Sequence, residues 1–364
     1  MRSAQPLPAN PLGLFGLAFL PYSLSYANDY GGAFTGTVHP IATFLTGDSM
    51  IRRLLSATLT LVALSANAAP TTVHLHTSSP DGFLTNSVWI DDGTEVTVID
   101  TQFTPRLAEA LVADIAKQTR SPIRRVIVTH PSPDKFNALS VFHRLGATSI
   151  ASQATAAAMP GVHRYKQYYW VNIAKAFTAE TYPQLELPST TFVTELVVPL
   201  KNGDQLTLKT LATPGVTSTQ TVVRIDSTGD LVVGDLVANR THAWLEGAVE
   251  SGKPAFDLKG WQASLRSLPA LAKGKARARL FAGRGPALPV AEAVKAQLNY
   301  LDTADKAIAA QEVAAADPSV LRDAARQGPY VEAVQQSLVR AFPGYAQPEL
   351  VGYSLYGWLS SRSR

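Results

Sequence analysis

The sequence predicts an α/β (α+β) protein in which two β-sheets pack face to face between outer helices, an αββα sandwich with extra C-terminal helices. Three observations support this prediction. Strand-like and helix-like runs alternate after residue 69, the alternation occurs in two successive halves, and an Ala-rich helical region follows. The 364 residues are 46% hydrophobic and 16% charged, a composition that allows a large globular core.

The first half of this region reads as ββαβαβ. A hairpin is expected between its second and third strands, because Asp92-Gly93 is typical of a tight turn. Its first helix is expected to begin at Pro105, with Thr104 as the N-cap and apolar residues at helical spacing. The predicted elements are strands 72–77, 87–91 and 96–100, helix 105–118, a strand ending at 129, a helix over about 136–145 and strand 148–151.

The second half repeats the alternation of strands and helices and is then followed by a helical region. Its strands are separated by Gly-Asp turns, and a region of small and apolar residues at helical spacing follows them. The predicted elements are strands 191–200, 205–211, 219–225 and 231–233, helix 261–271, strand 278–282, an Ala-rich helix over 290–317 and packed helices up to Trp358.

Charge and cysteine content exclude several classes of protein. The net charge is +4 and no dense basic run occurs, so nucleic-acid binding is not expected. The most basic segment, 273–279, runs directly into the apolar pair Leu280-Phe281, which indicates a solvated helix end before a strand. Cysteine is absent, which excludes disulfides and thiolate metal ligands.

The sequence from Met50 to Ala68 has the layout of a secretory signal peptide. Two arginines precede an apolar run, 54–66, and Ala66-Asn67-Ala68 forms a small-x-small cleavage site. The run is too short for a stable membrane anchor. We therefore expect a periplasmic or secreted bacterial protein. Residues 1–49 are expected to be a non-native, disordered upstream extension, the alternative being a genuine N-terminal extension.

The segment THPSPDKF at 129–136 follows a strand-like run and precedes a helical one. It resembles the zinc-binding loop of the metallo-β-lactamase superfamily, whose pattern is His-x-His-x-Asp-His. His130 and Asp134 occupy the first histidine and the aspartate positions. Ser132 and Lys135 stand where the other two histidines would be.

Four further segments carry the same resemblance. VTVIDTQF at 96–103 resembles a strand ending in Asp-Thr-Gly, with Gln102 at the glycine. ATPGVT at 212–217 is similar to Thr-Pro-Gly-His-Thr, with Val216 at the histidine. VVGDLV at 232–237 supplies Asp235, and AGRGPA at 282–287 resembles a Gly-His-Gly turn with Arg284 at the histidine. The resemblance implies a metallo-β-lactamase-like domain at 69–287 and a helical extension at 288–364.

The resemblance implies seven metal-ligand positions, and only three carry ligand residues. These are His130, Asp134 and Asp235; the substituted positions hold Ser132, Lys135, Val216 and Arg284. A catalytic zinc usually needs three protein ligands and an open position for water. We therefore expect no cofactor. We predict instead an ion-paired cluster in which Lys135 and Arg284 neutralise the two aspartates.

Other roles stay open for the remaining ligands. His130, Asp134 and Asp235 could hold a single weakly bound zinc, Mn²⁺ or Fe²⁺. His130 and Asp134 could instead serve as a catalytic acid–base set. Both aspartates could also be structural turn residues, and His130 could simply cap the strand end.

A ligand site is also predicted. Lys135 and Arg284 could bind a small anion such as a carboxylate or phosphate. The segment HRYKQYYW at 163–170 could clamp a ligand or form a hydrophobic lid. The ligand candidates in this part of the prediction are Tyr165, Lys166, Trp170 and His242, the last of which could equally be a buried structural histidine.

Two functions follow from these features. The first is an exported, metal-independent binding protein or pseudoenzyme with a cleft for a small anionic ligand. The alternative is an active hydrolase of an ester, lactone or related bond. It would use a single metal or a rewired acid–base set on His130, Asp134 and Asp235.

Overall fold

The computed structural model describes residues 69–323 and 325–362. Two six-stranded sheets carry helices on their outer faces, so the predicted αββα arrangement is confirmed. The apolar residues between the sheets form one core layer, with Ile90 and Ile127 from the first sheet meeting Leu208 and Val223 from the second. The predicted signal peptide and upstream extension lie outside the described residues.

The first sheet has the order β1-β2-β3-β4-β5-β6. Its strands are β1 Thr72–Thr77, β2 Asn86–Asp91, β3 Val96–Ile99, β4 Ile123–Ile127, β5 Thr148–Ser152 and β6 Thr190–Phe192. The predicted hairpin joins β2 and β3, which pair antiparallel. Gly93 adopts a φ of 84°, and its N–H donates to the Asp91 carboxylate at 2.8 Å, so the turn is closed by the residues that predicted it.

The second sheet has the order β14-β13-β10-β9-β8-β7. Its strands are β7 Glu195–Pro199, β8 Gln205–Thr210, β9 Thr221–Ile225, β10 Leu231–Val232, β13 Arg279–Phe281 and β14 Leu288–Pro289. A separate hairpin consists of β11 Ala248–Glu250 and β12 Lys253–Ala255. Strands β10 and β13 pair in parallel, so the segments that follow them leave the sheet at the same edge.

Helices cover both sheets. They are α1 Pro105–Gln118, α2 Pro133–Phe136, α3 Leu139–Arg144, α4 Gln153–Tyr168, α5 Leu258–Leu271, α6 Val290–Ala314, α7 Gly328–Ala341 and α8 Glu349–Ser361. The hydroxyl of Thr104 accepts the N–H of Leu107, as expected of an N-cap. Helices α5 to α8 share a core with the outer face of the second sheet. Within the described residues, no helix combines the length and apolarity needed to cross a membrane.

Two predicted elements are wrong and one helix was missed. The single helix expected over 136–145 is divided into α2 and α3, because the chain leaves helical geometry at Ala138. The strand expected over 191–200 is two strands, β6 and β7, which belong to different sheets. Helix α4 was not predicted, because Pro160 and Gly161 break its sequence pattern. It forms nevertheless, with Ser152 as its N-cap and a buried face around Met159.

Candidate functional site

Four charged side chains meet beside the ends of three strands. The loop after β4 leads into α2 and supplies Asp134 and Lys135, whereas Asp235 lies in the turn after β10 and Arg284 follows β13. All four are buried, and Lys135 has no exposed surface. We call these residues the charge quartet.

Each cation of the charge quartet contacts both carboxylates. Lys135 Nζ lies 2.8 Å from Asp134 Oδ2 and 2.9 Å from Asp235 Oδ1. Arg284 Nη2 lies 3.2 Å from Asp134 Oδ2, and its Nη1 lies 2.7 Å from Asp235 Oδ2. The ion-paired cluster predicted from the sequence is therefore present. Because it pairs two positive with two negative charges, its formal charge is zero.

Mutual attraction keeps the quartet ionised despite burial. Burial by itself raises the pKa of a carboxyl, but Lys135 and Arg284 hold the pKa of Asp134 below its ordinary value. Burial also raises the pKa of Asp235, but Arg284, and to a smaller extent Lys135, hold it well below the ordinary value for an aspartate. Burial would lower the pKa of the Lys135 ammonium, but the two aspartates raise it.

Two glycines allow the loops to approach this closely. A Cβ on Gly283 would lie 1.8 Å from Asp235 Oδ1, inside the carboxylate. Gly234 adopts a φ of 54°, and a Cβ there would lie 2.4 Å from Thr129 Oγ1. Side chains at either position would therefore push Asp235 away from the loop that follows β4.

The guanidinium of Arg284 is fixed from several sides. Its Nε donates to the backbone oxygen of Phe83 at 3.1 Å, and its Nη2 donates to Thr85 Oγ1 at 3.2 Å. The backbone of Arg284 also forms β-bridges with Thr85 and Ala238. All three guanidinium nitrogens consequently have protein partners, which holds the side chain in one orientation.

His130 extends the buried network away from the quartet. Its Nδ1 lies 2.9 Å from Thr129 Oγ1, which donates its single proton to Asp100 at 2.8 to 2.9 Å. We infer that Nδ1 carries the ring proton, because the threonine proton is already used. Nε2 then has a free lone pair when the ring is neutral, and it lies 3.8 Å from Asp235 Oδ2. Burial raises the pKa of Asp100 to about 6, with Lys135 and His130 opposing this effect.

Three members of the quartet line a small, open cleft with a volume of about 40 Å³ for water-sized molecules. They are Asp134, Asp235 and Arg284; the other lining residues are Phe83, Phe103, Ser132, Pro133, Lys166, Trp170 and Trp244. His130 is fully buried and is not among the lining residues. A small molecule entering the cleft would therefore meet aromatic rings and the quartet, with His130 behind them.

Comparison with known proteins identifies the family. A sequence profile described as the metallo-beta-lactamase superfamily matches residues 80–284. The chain belongs to the metallo-β-lactamase superfamily. Among solved structures, a metallo-beta-lactamase from Pontibacter korlensis is 20% identical, with a TM-score of 0.47, and the match covers 64% of this chain and 94% of that one. The FIM-1 metallo-beta-lactamase from Pseudomonas aeruginosa in its mono-zinc form is 14% identical, with 64% and 91% covered and a TM-score of 0.44.

The residues at the superfamily's zinc position do not fit a metal. Zinc binds carboxylate oxygens at about 2.0–2.2 Å. Here the ammonium of Lys135 and the guanidinium of Arg284 lie against the carboxylates that would be ligands. Over residues 69–323 and 325–362, no cluster of three or more His, Asp or Glu side chains is arranged to hold a metal ion. The single weak site considered from the sequence would require Lys135 to move away.

The other two substituted positions also lack metal-binding capacity. Ser132 lines the cleft, and serine is a poor zinc ligand. Val216 is buried in the core between the second sheet and its helices. The structure thus brings His130, Asp134 and Asp235 together as expected, but with two cations among them.

The predicted ligand residues are distributed over three places. Trp170 and Lys166 line the cleft. Tyr165 lines a different, tyrosine-rich groove against α7 and α8, and its hydroxyl lies 3.1 Å from that of Tyr356. His242 is buried, with Nδ1 3.0 Å from the Tyr300 hydroxyl, and burial lowers its pKa. The residues found to line the cleft do not include His242.

Sequence reasoning missed Glu246, which organises one wall of the cleft. Its buried carboxylate pairs with Lys166 and accepts hydrogen bonds from Trp244 Nε1 at 3.0 Å and from the Tyr356 hydroxyl. Helix α8 approaches so closely that a Cβ on Gly357 would lie 2.1 Å from the backbone carbonyl oxygen of Glu246. No sequence motif marks Glu246, since its partners come from α4 and α8.

Gln102, which stands at the glycine position of its motif, joins two parts of the site. It keeps a left-handed φ of 88°, a conformation natural to the glycine of the resembling motif. Its Nε2 donates to Ser87 Oγ at 2.8 Å and to the Thr85 oxygen at 3.2 Å. Its backbone N–H donates to the backbone carbonyl oxygen of Asp134 at 3.0 Å. These bonds hold Asp134 beside Thr85.

A serine–histidine–glutamate arrangement lies elsewhere in the first sheet. His143 Nε2 is 2.7 Å from Ser149 Oγ, and its Nδ1 contacts Glu186. Ser149 is completely buried, and its hydroxyl also accepts the backbone N–H of Ser189 at 2.9 Å. A nucleophile needs access to substrate, so these residues connect β5 to the segment before β6 and are not a catalytic triad.

Proposed function

We propose that this chain is a metal-independent binding protein, a pseudoenzyme that retains the cleft of a hydrolase fold. The charge quartet is the observation that carries this proposal. Lys135 and Arg284 supply, by ion pairing, the positive charge that a metal would otherwise bring to Asp134 and Asp235. The aromatic cleft beside the quartet is the binding site.

Metal content and metal response test this proposal. Protein produced from Met50 and purified without chelators or metal-affinity steps should contain less than about a tenth of an equivalent of Zn, Mn or Fe by plasma mass spectrometry. Zinc or a chelator should leave its thermal midpoint unchanged, because only ligands that bind the folded state raise stability. Near-stoichiometric metal that is lost in the Asp134→Ala variant would refute the proposal.

The charge of the ligand is a separate matter. The sequence suggested an anion because Lys135 and Arg284 are cationic. Both are committed to carboxylates, and Lys166 is paired with Glu246. The proposed partner is therefore a small molecule that does not depend on a free cation for its binding.

A second candidate is a hydrolase with a rewired acid–base set on His130, Asp134 and Asp235. The unpartnered Nε2 of His130, held by Thr129 and Asp100, favours it. A screen of ester and lactone substrates tests it, with His130→Gln as the matched variant. Turnover above the uncatalysed rate that His130→Gln abolishes would favour this candidate, whereas equal background rates would argue against it.

We also propose that the protein is exported to the periplasm or beyond. Support comes from the signal-peptide layout between Met50 and Ala68 and from β1, which begins at Thr72. Fractionation of a bacterial host, followed by N-terminal sequencing, should give a mature chain beginning at Ala69. A cytoplasmic product that retains Met50 would contradict this proposal.

A further inference from the structure

The side chains that line the cleft indicate which class of ligand it binds. This inference rests on the binding function proposed above. We infer that the cleft selects an uncharged molecule with a flat apolar ring and one hydrogen-bond donor. Phenol-like and indole-like compounds have this chemistry. Three properties of the cleft carry the inference: its charge balance, its aromatic wall and one free carboxylate oxygen.

The charge balance disfavours an anion. Each cation at the cleft faces a carboxylate: Lys135 and Arg284 pair with Asp134 and Asp235, and Lys166 pairs with Glu246. Three positive charges are thus offset by three negative ones, and Asp100 lies beneath them. An anion would therefore find no net positive potential here.

Most donors of the arginine are also occupied. Its Nε and Nη2 face the Phe83 backbone oxygen, Thr85 and Asp134, and its Nη1 lies 2.7 Å from Asp235 Oδ2. An anion that approached the second N–H of Nη1 would therefore lie beside the Asp235 carboxylate, and a bidentate contact would require displacing one of these partners. Lys135 has no exposed surface and is not among the lining residues. Breaking such contacts leaves a buried charge without its partner, which offsets the gain from a new ion pair.

Aromatic rings form one wall of the cleft. Phe83, Phe103 and Trp170 pack together with ring centroids 5.4 to 5.8 Å apart. Trp244 also lines the cleft, with Lys166 Nζ 4.8 Å from the centre of its ring. A flat apolar ring gains contact area against these surfaces and adds favourable ring–ring geometry. The wall therefore selects for shape and apolarity.

One carboxylate oxygen remains available to a ligand. Asp134 Oδ2 accepts hydrogen bonds from Thr85 Oγ1 at 3.0 Å and from Arg284 Nη2 at 3.2 Å, and it lies 2.8 Å from Lys135 Nζ in an ion pair. Its Oδ1 has no donor in the part of the chain that the structure describes, and Asp134 lines the cleft. An uncharged O–H or N–H can donate to it, whereas a ligand cation would meet Lys135 and Arg284 at short range.

Four naphthalene probes of similar size test the inference: 2-naphthol, 2-naphthoate, naphthalene and protonated 2-naphthylmethylamine. Dissociation constants are measured at pH 7 by tryptophan fluorescence quenching and confirmed by equilibrium dialysis. We expect 2-naphthol to bind about tenfold more tightly than each of the others, since a hydrogen bond to a carboxylate contributes a factor of this size. Naphthalene tests the Asp134 contact without any change to the protein.

Two variants locate the binding. Trp170→Ala should weaken 2-naphthol binding at least about tenfold. Tyr168→Ala removes an exposed aromatic from the same segment, outside the residues found to line the cleft, and should leave affinity within twofold. Tighter binding of 2-naphthoate, equal binding of naphthalene and 2-naphthol, or no binding of any probe would overturn the inference. The metal assay is independent of these outcomes, so a failed ligand class and a failed metal-independent site can be told apart.

Discussion

Replacing Lys135 by methionine tests whether the charge quartet stabilises the fold. Methionine keeps most of the length of the side chain but removes the ammonium that contacts both aspartates, at 2.8 and 2.9 Å. Removing one partner of a buried ion pair costs about 3–5 kcal/mol. Because Arg284 still faces both carboxylates, we expect a loss of about 4 kcal/mol in the free energy of unfolding. Urea denaturation followed by circular dichroism at pH 7 measures it.

The pH dependence of this loss provides a second check. In the wild type, the lowered pKa values of Asp134 and Asp235 contribute stability at neutral pH, which is lost as the pH falls through and below their ordinary range near 4. The variant loses the share of Lys135 in that contribution and keeps the share of Arg284, so the difference between the two unfolding free energies should shrink towards pH 3. Adding Asp235→Asn to Lys135→Met should recover at least about 1 kcal/mol by removing an uncompensated charge.

Lys201→Met is the matched control, since Lys201 is largely exposed and lies 3.9 Å from Glu95. Such surface pairs contribute about 0–1 kcal/mol. A loss below about 1 kcal/mol in Lys135→Met would refute the reasoning. The same conclusion would follow if Lys201→Met were equally destabilised, because the effect would then not depend on burial.

Three further variants test the site. Burial raises the pKa of Asp100 to about 6, so its contribution to stability is present below pH 4 and is lost as the pH rises through 6. Asn cannot ionise and does not lose this contribution. Between pH 4 and 7 the free energy of unfolding of Asp100→Asn should therefore rise by about 3 kcal/mol relative to that of the wild type, as measured by urea titrations. Gly283→Ala should lower the thermal midpoint by more than about 10 °C, since its Cβ overlaps Asp235, whereas Gly161→Ala, with open space around it, should not. A third variant restores histidine at all four substituted positions: Ser132→His, Lys135→His, Val216→His and Arg284→His. It should bind zinc in a calorimetric titration. The absence of binding heat would argue against these four positions as ligand positions.

Local sequence signals predicted most of the fold. Alternating apolar residues, the Asp92-Gly93 turn and the Thr104 cap each act over a few residues, so they can be recognised without knowing the tertiary structure. Helix α4 contradicts its local signals, because Pro160 and Gly161 lie inside it. Its formation depends on burial of Met159 and Val162 against distant segments, which no local pattern reports.

The site divides in a similar way. The quartet was predictable because each of its residues stands in a recognisable loop, and opposite charges must pair when buried. Glu246 was not, because Lys166 on α4 and Tyr356 on α8 are 80 and 110 residues away in the chain. The burial of His130 behind the lining residues was equally hidden, since sequence spacing does not show which side of a loop faces solvent.

The shared pairing within the quartet has an evolutionary consequence. Because Lys135 and Arg284 each bind both aspartates, replacing either one alone leaves buried charge unmatched before any metal ligand set is complete. The first substitution towards a zinc site is thus destabilising in itself, and the required mutations depend on one another. Under the metal-independent function proposed above, single mutations would therefore reshape the aromatic wall more readily than they would build a zinc site.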